Sequence, residues 1–527
     1  MQRTTDNKPQ AKLIHHFLEQ STKLFPDKTA LVHEEVRATY SQINTKANLL
    51  AHWLIKLGIS KGDRIVLFLE NCLEYVVSYY GVLKTGAVAV PLSSDLKPDG
   101  LKPLLEELEP EVIIATSRFE RLLKATDLSL YSIRALLLKN PKQKWSSYPF
   151  AVFPWEDVIR DDVTVNLPIR FKTSIEESDL ASIIYTSGST GTPKGVMLSH
   201  NNIVSNTNSI CRYLALTDKD IQMAVLPFFY VMGKSLLNTH FAVGGSVVIN
   251  NKFAFPAAVI KQMVEEKVTG FSGVPSTYAY LLHRSPLKSY RNRLHSLRYC
   301  TQAGGHMSQQ IKKELRKVLP VHTQIYIMYG ATEASARLTY LRPDQLANRM
   351  GSIGKPISGV TLKVINKSGK ELPAGQTGEL VASGKNIMQG YWKDKKATSA
   401  ALDENGYHTG DLGYYDEKGY FFVNGRKDNL LKVGGHRINP QEIEDALMAT
   451  ELVIETAVIG VPDELLGNKI VAIAVPKNGT SSNNKIMKLC ADKLPKYKLP
   501  SSIKLVRLLP KNTNGKIDRT KCLEIAR

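Results

Sequence analysis

The segment Ala181–Gly195, ASIIYTSGSTGTPKG, joins an apolar run to a loop crowded with glycine and hydroxyl residues. The run ASIIY (181–185) reads as a buried strand. After it, Gly188, Gly191 and Gly195 alternate with the hydroxyls of Thr186, Ser187, Ser189 and Thr190, and Lys194 adds a positive charge. Glycine lets a backbone approach a ligand and take φ > 0, so successive N–H groups converge on phosphate oxygens. A Walker A loop would need Gly at 193 and Ser or Thr at 195, where this chain has Pro193 and Gly195. A flexible Gly/Ser linker would account for the glycines but not for the ordered T-P-K-G ending.

Working outward, short apolar runs recur at helix-length spacing: RIVLFLE (64–70), EVIIAT (111–116), QMAVLPF (222–228) and QIYIMYG (324–330). This alternation is the pattern of a largely parallel α/β sheet. From Gly351 to about Asn424 the texture changes to short strands, TLKVIN and GELVAS among them, punctuated by SGK, PAG, ENG and EKG turns, which predicts an antiparallel β unit. Beyond Arg426 a turn-rich stretch leads to a helix from about Gln441 and to strands near ETAVIGV and IVAIAVP. The segment PKNGTSSNNK has the composition of a surface loop. The chain's 527 residues make about three domain-sized units. With 43% hydrophobic and 22% charged residues, the composition excludes a disordered or fibrous chain.

Five scattered cysteines without CxxC spacing exclude a zinc site and a disulfide framework and suggest a reducing compartment. The polar start MQRTTDNKPQ has no apolar leader region. The most apolar stretch, Tyr75–Leu92, contains Lys84, Gly81 and Gly86, so no integral membrane segment is expected and the location reads as cytoplasmic. The formal net charge is +20, and residues 477–527 hold thirteen Lys/Arg against three Asp/Glu. That end is either a solvated basic face or one that meets polyanionic ligands. No RNP-like aromatic pattern, zinc finger or basic zipper accompanies it, so no nucleic-acid partner is expected.

The segment TSGSTGTPKG resembles the phosphate loop of the AMP-forming adenylating superfamily: acyl- and aryl-CoA synthetases, peptide-synthetase adenylation domains and beetle luciferases. Four further motifs follow in the family's order: YGATE (Tyr329–Glu333), YHTGD (Tyr407–Asp411), GRKDNLLKVGGHRINPQEIE (Gly425–Glu444) and PKNTNGKIDR (Pro510–Arg519). The resemblance implies ATP, Mg²⁺ and CoA as cofactors. It assigns the phosphates to Thr186, Ser187, Gly188, Ser189, Thr190, Gly191 and Lys194, and adenine to Tyr329 with Gly330 and the Gly304–Gly305 strip. Thr332 would lie near phosphate and Glu333 on Mg²⁺, a hard cation suited to carboxylate oxygen. Asp411, with Arg426 nearby, would accept hydrogen bonds from the ribose hydroxyls. Lys516 would carry the charge that bridges carboxylate and phosphate oxygens. Asp428 matches the pivot of a small mobile C-terminal domain. Gly434 and Gly435 match a loop that leaves room for the pantetheine arm, the alternative being a tight turn.

For the acid itself, LPFFYVMG (Leu226–Gly233) aligns with the family's pocket-mouth motif, where peptide-synthetase domains usually carry Phe-Asp to hold an α-ammonium. Phe229-Tyr230 lacks that carboxylate and favours a non-amino acid, with Tyr230, Gly233 and Val274 at the pocket. Lys234 either pairs with a second substrate carboxylate or is a helix residue directed elsewhere. The expected fold is therefore α/β: residues 1–425 as an N-terminal region of stacked α/β subdomains, β-rich over about 351–425, then a hinge at 426–428 and a mobile α+β domain at 429–527. The expected function is activation of a carboxylic acid to an acyl-adenylate, then transfer to CoA, as in an acyl-CoA synthetase of fatty or aryl acids. The alternatives are loading of an acyl or peptidyl carrier protein, a non-catalytic nucleotide-binding relative and a luciferase-like oxygenase.

Overall fold

The computed structural model describes residues 11–160, 174–186, 193–477, 482–512 and 515–527. They form two compact units, each drawn from separated stretches of chain. One comprises residues up to 251 with 332–336 and 384–400; the other comprises 252–331, 337–383 and 401–527.

In the first unit the strand Leu180–Thr186 leads into the glycine-rich loop, and Lys194–Ser199 returns antiparallel, so that Thr186 faces Lys194 across the ladder. These two strands belong to an eight-stranded sheet. Its spatial order is Gly390–Tyr391, Lys194–Ser199, Leu180–Thr186, Val88–Pro91, Arg64–Phe68, Val112–Thr116, Ala135–Lys139 and Ala151–Pro154. From Leu180–Thr186 onward the neighbours are parallel, as the runs of Val, Ile and Leu buried on both faces require. Val66, Phe68, Ile113, Leu136 and Trp145 belong to the core on one face.

A second sheet in this unit orders Ile221–Ala224, Ser246–Ile249, Thr29–His33 and Val36–Thr39. The predicted strand over 222–228 stops at Ala224, because Pro227 cannot donate to a ladder and Asn71 holds the following turn. The helix Tyr40–Lys56 starts at a capping box of Thr39 and Gln42. The helix Leu73–Lys84 and the strand Val88–Pro91 use the apolar stretch 75–92 as core, with Tyr80 stacked on Phe241 at 5.5 Å. Among the described residues no helix is long and apolar enough to cross a membrane.

The second unit orders Lys355–Pro356, Thr339–Leu341, Gln324–Tyr329, Tyr299–Gln302 and Gly270–Gly273 in one sheet path. The β-rich stretch forms an antiparallel sheet of Val360–Ile365, Gly378–Gly384, Gly406–Tyr415 and Leu402–Asp403, with Phe421–Arg426 also paired to Gly406–Tyr415. The C-terminal residues make the hairpin Leu431–Val433/His436–Ile438, the helix Pro440–Met448, and a sheet of Val453–Asp463, Gly467–Pro476 and Ser502–Leu505. The helix Arg519–Ala526 closes their small core through Cys522 and Ala526, which pack among Ala457, Val471 and Ile473. The mixed α/β fold with a β-rich part and a small C-terminal domain is as expected from the sequence.

Candidate active site

Of the glycine-rich loop, Ser187, Gly188, Ser189, Thr190 and Gly191 lie outside the described residues. Its two ends are described. Thr186 and Lys194 are ladder partners, and the Lys194 ammonium lies 5.2 Å from the centre of the Tyr391 ring. The Tyr391 phenol donates to Glu333 Oε1 at 2.9 Å. Glu333 and Thr332 stand on a single 3₁₀ turn, Thr332–Ala334, with Thr332 buried. Ser335 and Ala336 follow with φ of 53° and 109°, a backbone region L-residues rarely adopt and that clusters at functional sites. Thus Thr186, Lys194 and Glu333 are gathered in one unit, through a tyrosine that no motif singled out.

The second unit gathers another set. Tyr329, the last residue of its strand, donates its hydroxyl to Asp411 Oδ2 at 2.6 Å. Asp411 and Arg426 are ladder partners, with Arg426 Nε 3.7 Å from Asp411 Oδ1. Arg426 Nη2 also donates to the Thr409 carbonyl at 3.2 Å, and the Asp411 amide donates to Thr409 Oγ1 at 3.1 Å. Burial, and then the neighbouring Asp411 charge, push the Tyr329 phenol well up from its ordinary value. Gly330 continues directly from this strand. Gly304 takes a φ of 81°, and the Gly305 carbonyl accepts from Gln302 Nε2 at 2.8 Å, so the strip is a shaped turn.

Lys516 lies in a tight turn where its amide donates to Asn512 Oδ1 at 3.0 Å and its carbonyl accepts from the Asn512 amide at 2.8 Å. The Gly515 carbonyl accepts from Ser276 Oγ, and a Cβ on Gly515 would stand 3.1 Å from Val274 Cγ2. The lysine's turn is therefore seated on the residue named from sequence as a pocket wall. Two further motif residues have a packing role that sequence reasoning did not assign. Arg519 donates to Glu444 Oε1 at 2.8 Å and to the Val458 carbonyl at 2.9 Å, while the Val458 amide donates to the same Glu444 oxygen. A buried carboxylate paired from several sides ties the start of the helix Arg519–Ala526 and the strand Val453–Asp463 to the helix Pro440–Met448.

Asp428 is exposed on a 3₁₀ turn, Lys427–Asn429. Gly434 and Gly435 are the two loop residues of a hairpin, with φ of 53° and 83°. A two-residue loop with both φ positive is the turn type for which Gly-Gly is selected, so the tight-turn reading accounts for both glycines.

Around the predicted pocket mouth, Asn71 donates to the Leu226 carbonyl at 2.9 Å and accepts from the Phe228 amide at 2.6 Å. Tyr75 donates to the Phe228 carbonyl at 2.7 Å. Tyr230 is half-buried at the start of the helix Val231–Val243. A Cβ on Gly233 would lie 2.1 Å from the Pro227 carbonyl oxygen, so its glycine is required by backbone contact. Lys234 turns into the core of the same unit: its ammonium donates to Ser182 Oγ at 3.1 Å and lies 5.0 Å from the Tyr79 ring centre. Burial lowers its pKa to about 7. Of the two readings of Lys234, the core residue is the observed one.

Away from the motifs, His15, His16 and Glu19 bring three metal-capable atoms within 4.8 Å of one another. His16 Nδ1 accepts from the Lys12 and Leu13 amides, which places the proton on Nε2, and Glu19 is paired with Lys84. That tautomer and that ion pair suit hydrogen bonding at the start of the helix His15–Leu24 rather than a metal centre.

The family model described as "AMP-binding enzyme" matches residues 18–392, and that described as "AMP-binding enzyme C-terminal domain" matches residues 442–516. Among curated proteins, a long-chain-fatty-acid–CoA ligase of Bacillus subtilis is 31% identical over 536 residues, covering 97% of this chain and 94% of the relative. A 2-succinylbenzoate–CoA ligase of Bacillus cereus is 31% identical over 506 residues, covering 96% and 97%. Among solved structures, the anthranilate CoA ligase AuaEII in complex with anthranoyl-AMP superposes with a TM-score of 0.86 at 27% identity, covering 99% of each chain. The o-succinylbenzoate CoA synthetase of Bacillus subtilis, in complex with its acyl-adenylate intermediate, gives 0.80 at 25% identity, covering 96% and 97%.

Proposed function

Because this chain belongs to the AMP-binding enzyme family, we propose that it is an AMP-forming acid–CoA ligase acting on a non-amino carboxylic acid. The chemistry runs in two steps. The substrate carboxylate attacks the α-phosphorus of ATP and pyrophosphate leaves; then the CoA thiol attacks the acyl carbon and AMP leaves. The first step brings two anions together, so it needs fixed positive charge and aligned donors.

The residue roles are proposed accordingly. Asp411 accepts from the ribose hydroxyls, and Arg426 and the Tyr329 phenol hold its carboxylate in place. Thr186 and Lys194 meet the phosphates at the two ends of the glycine-rich loop. Glu333 suits Mg²⁺: its Oε1 is engaged by Tyr391, and Oε2 is left open among the described residues. Mg²⁺ bound with ATP would neutralise phosphate charge. Lys516 offers its ammonium to the carboxylate and α-phosphate oxygens. Residues 429–527 act as a small domain that turns at 426–428, with Asp428 as pivot, and the Gly434–Gly435 turn serves the thiol step.

The observation that carries this reading is the seating of the Lys516 turn on Ser276 and Val274, because it supports delivery of a charge to the wall proposed for the acyl pocket. Phe229-Tyr230 in place of a carboxylate supports an acid without an α-ammonium, and the relatives named for CoA support CoA over a carrier protein as acceptor. The test is pyrophosphate release from MgATP across fatty, aryl and α-amino acids, followed by thioester formation with CoA and with a carrier protein. Medium- or long-chain acyl or aryl acids are expected to respond. Selective activation of one proteinogenic amino acid would overturn the substrate class.

A further inference from the structure

Tyr391 stands in the two-residue strand Gly390–Tyr391, which pairs antiparallel with Val196 and Met197, just beyond Lys194. On either side, the Gln389 amide donates to the Met197 carbonyl at 3.0 Å and the Trp392 amide to the Gly195 carbonyl at 2.7 Å. The Tyr391 amide donates to Thr398 Oγ1 at 2.9 Å, and Gly390, at φ 137°, leaves no space for a Cβ against that same threonine. The turn bearing Glu333 is fastened to the same stretch. The Met388 amide donates to the Glu333 carbonyl at 2.8 Å, Asn386 Nδ2 donates to the Ala334 carbonyl at 3.0 Å, and Ser335 Oγ donates to the Asn386 carbonyl at 2.8 Å. The backbones of Lys194, Glu333 and Tyr391 are thus mutually fixed before any ligand arrives.

The Tyr391 side chain is 8% exposed and uses both of its chemical faces. Its hydroxyl donates to one oxygen of Glu333, restraining a side chain with three rotatable bonds and directing the other oxygen elsewhere. The negative face of its ring receives the Lys194 ammonium. One side chain thus engages the cation through its ring and the carboxylate through its hydroxyl.

We propose that Tyr391 is a positioning residue of the phosphate end of the site, aiming the Glu333 carboxylate at the nucleotide's divalent metal ion while seating Lys194 apart from it. The proposal rests on the reading of Glu333 as the metal carboxylate given above. Its loss should weaken metal-dependent nucleotide binding more than nucleotide binding in general. The experiment titrates the full-length protein with ATP in excess Mg²⁺, with ATP in excess EDTA, and with AMP, the melting temperature being read alongside. Tyr391→Phe keeps the ring and deletes only the hydroxyl. It is expected to lower the MgATP-to-ATP affinity ratio about tenfold, the scale of one hydrogen bond to a charged group, with AMP affinity unchanged. Tyr391→Leu should in addition weaken metal-free ATP, because Lys194 loses its ring. Tyr391→His, which keeps a ring and a donor, is run beside them so that a variant that fails to fold does not end the test; it should recover part of the ratio. If Tyr391→Phe and Tyr391→His keep the wild-type ratio while Glu333→Gln collapses it, the positioning role is wrong and the metal reading stands. If Glu333→Gln also keeps the ratio, the metal reading falls and the proposal falls with it.

Discussion

In the unit that holds residues 401–427, Asp411 meets Arg426 as a ladder partner and takes the Tyr329 hydroxyl from the end of a third regular strand. In the other unit Glu333 stands on a single 3₁₀ turn followed by two residues of positive φ, and it is linked to Lys194 through a tyrosine on a two-residue strand. The first cluster is held by sheet register, the second by side-chain and backbone contacts among irregular segments. Register fixes a carboxylate cheaply, because the strands are ordered for the fold's own reasons. An irregular turn must be fastened bond by bond, here through Met388, Asn386 and Tyr391. The two anchorings are the ones on which the proposed roles of Asp411 and Glu333 rest.

The largest effect is expected where charge is brought to the reaction. Lys516→Ala should slow acyl-adenylate formation by a factor of about 10²–10³, the cost of removing one oxyanion donor, and by more if the full charge counts. The same variant, given preformed acyl-adenylate, should still form thioester. Pyrophosphate release and thioester formation, measured separately, check this; equal loss of both would exclude alternating use of the C-terminal domain.

A second effect separates the two units by how they treat a buried ionisable group. Lys234 has a hydroxyl and a ring for company, and burial lowers its pKa to about 7. The unfolded chain keeps an ordinary lysine, so between pH 7 and that ordinary range it binds more protons than the folded one. Stability from this group therefore rises with pH, by up to about 1.4 kcal/mol per unit. Lys234→Met should raise the melting temperature at pH 7 and lose that advantage as pH approaches 10. Ser182 keeps its bond to the Ala89 carbonyl in the variant, so no donor is orphaned. A melting-temperature gain that does not change with pH would mean the effect is packing alone.

The sheets were legible in the sequence because both faces of their strands are buried, which leaves continuous apolar runs such as RIVLF and VIIAT. Where the run did not stop with the strand, as after Ala224, the boundary was set by a proline and by Asn71, some 150 residues away in sequence. Asp411 and Arg426 were legible as motif residues, and register explains why they occur together. Tyr391 was not, because its partners are far off in sequence and the dipeptide Gly-Tyr carries no signal alone. Arg519 and Glu444 lay in plain view inside two motifs, yet a salt bridge between distant elements leaves no periodic trace. Glycine carries a demand that the sequence does not display: backbone contact requires Gly233, and Gly434 and Gly435 take positive φ in their turn.

Register makes Asp411 the natural place to break the second unit's cluster. Asp411→Ala should weaken ATP binding by about 1.5–3 kcal/mol, the range for hydrogen bonds to a charged group. Tyr329→Phe, which removes one donor to that carboxylate and leaves Arg426 in place, should cost nearer 1 kcal/mol. Calorimetric titration with ATP checks both. Unchanged affinity in Asp411→Ala would remove the ribose assignment, and a larger loss in Tyr329→Phe would mean that the phenol, not the ladder, positions the carboxylate.

The smallest effect is the counterpart of Lys234 on the strand that bears Asp411. His408 Nδ1 lies 3.1 Å from Glu379 and Nε2 3.0 Å from Asp403. Burial lowers the imidazole's pKa, but the hydrogen bonds to Glu379 and Asp403 outweigh it and hold the group above its ordinary value. Stability from this histidine is therefore fully present below the ordinary value near 6.5 and fades as pH rises through the higher folded one. The dependence is opposite in sign to that of Lys234. Solvent screening of these partly exposed groups keeps the contribution to a few tenths of a kcal/mol, up to about 1. Glu379 also receives Lys427, one residue before the proposed pivot, so it does not lose its counter-charge when the imidazole goes neutral. His408→Gln should lower the melting temperature at pH 5.5 more than at pH 8.5, and high salt should shrink the difference. A loss of equal size at both pH values would show that the side chain acts through packing beside Asp411 and not through its charge.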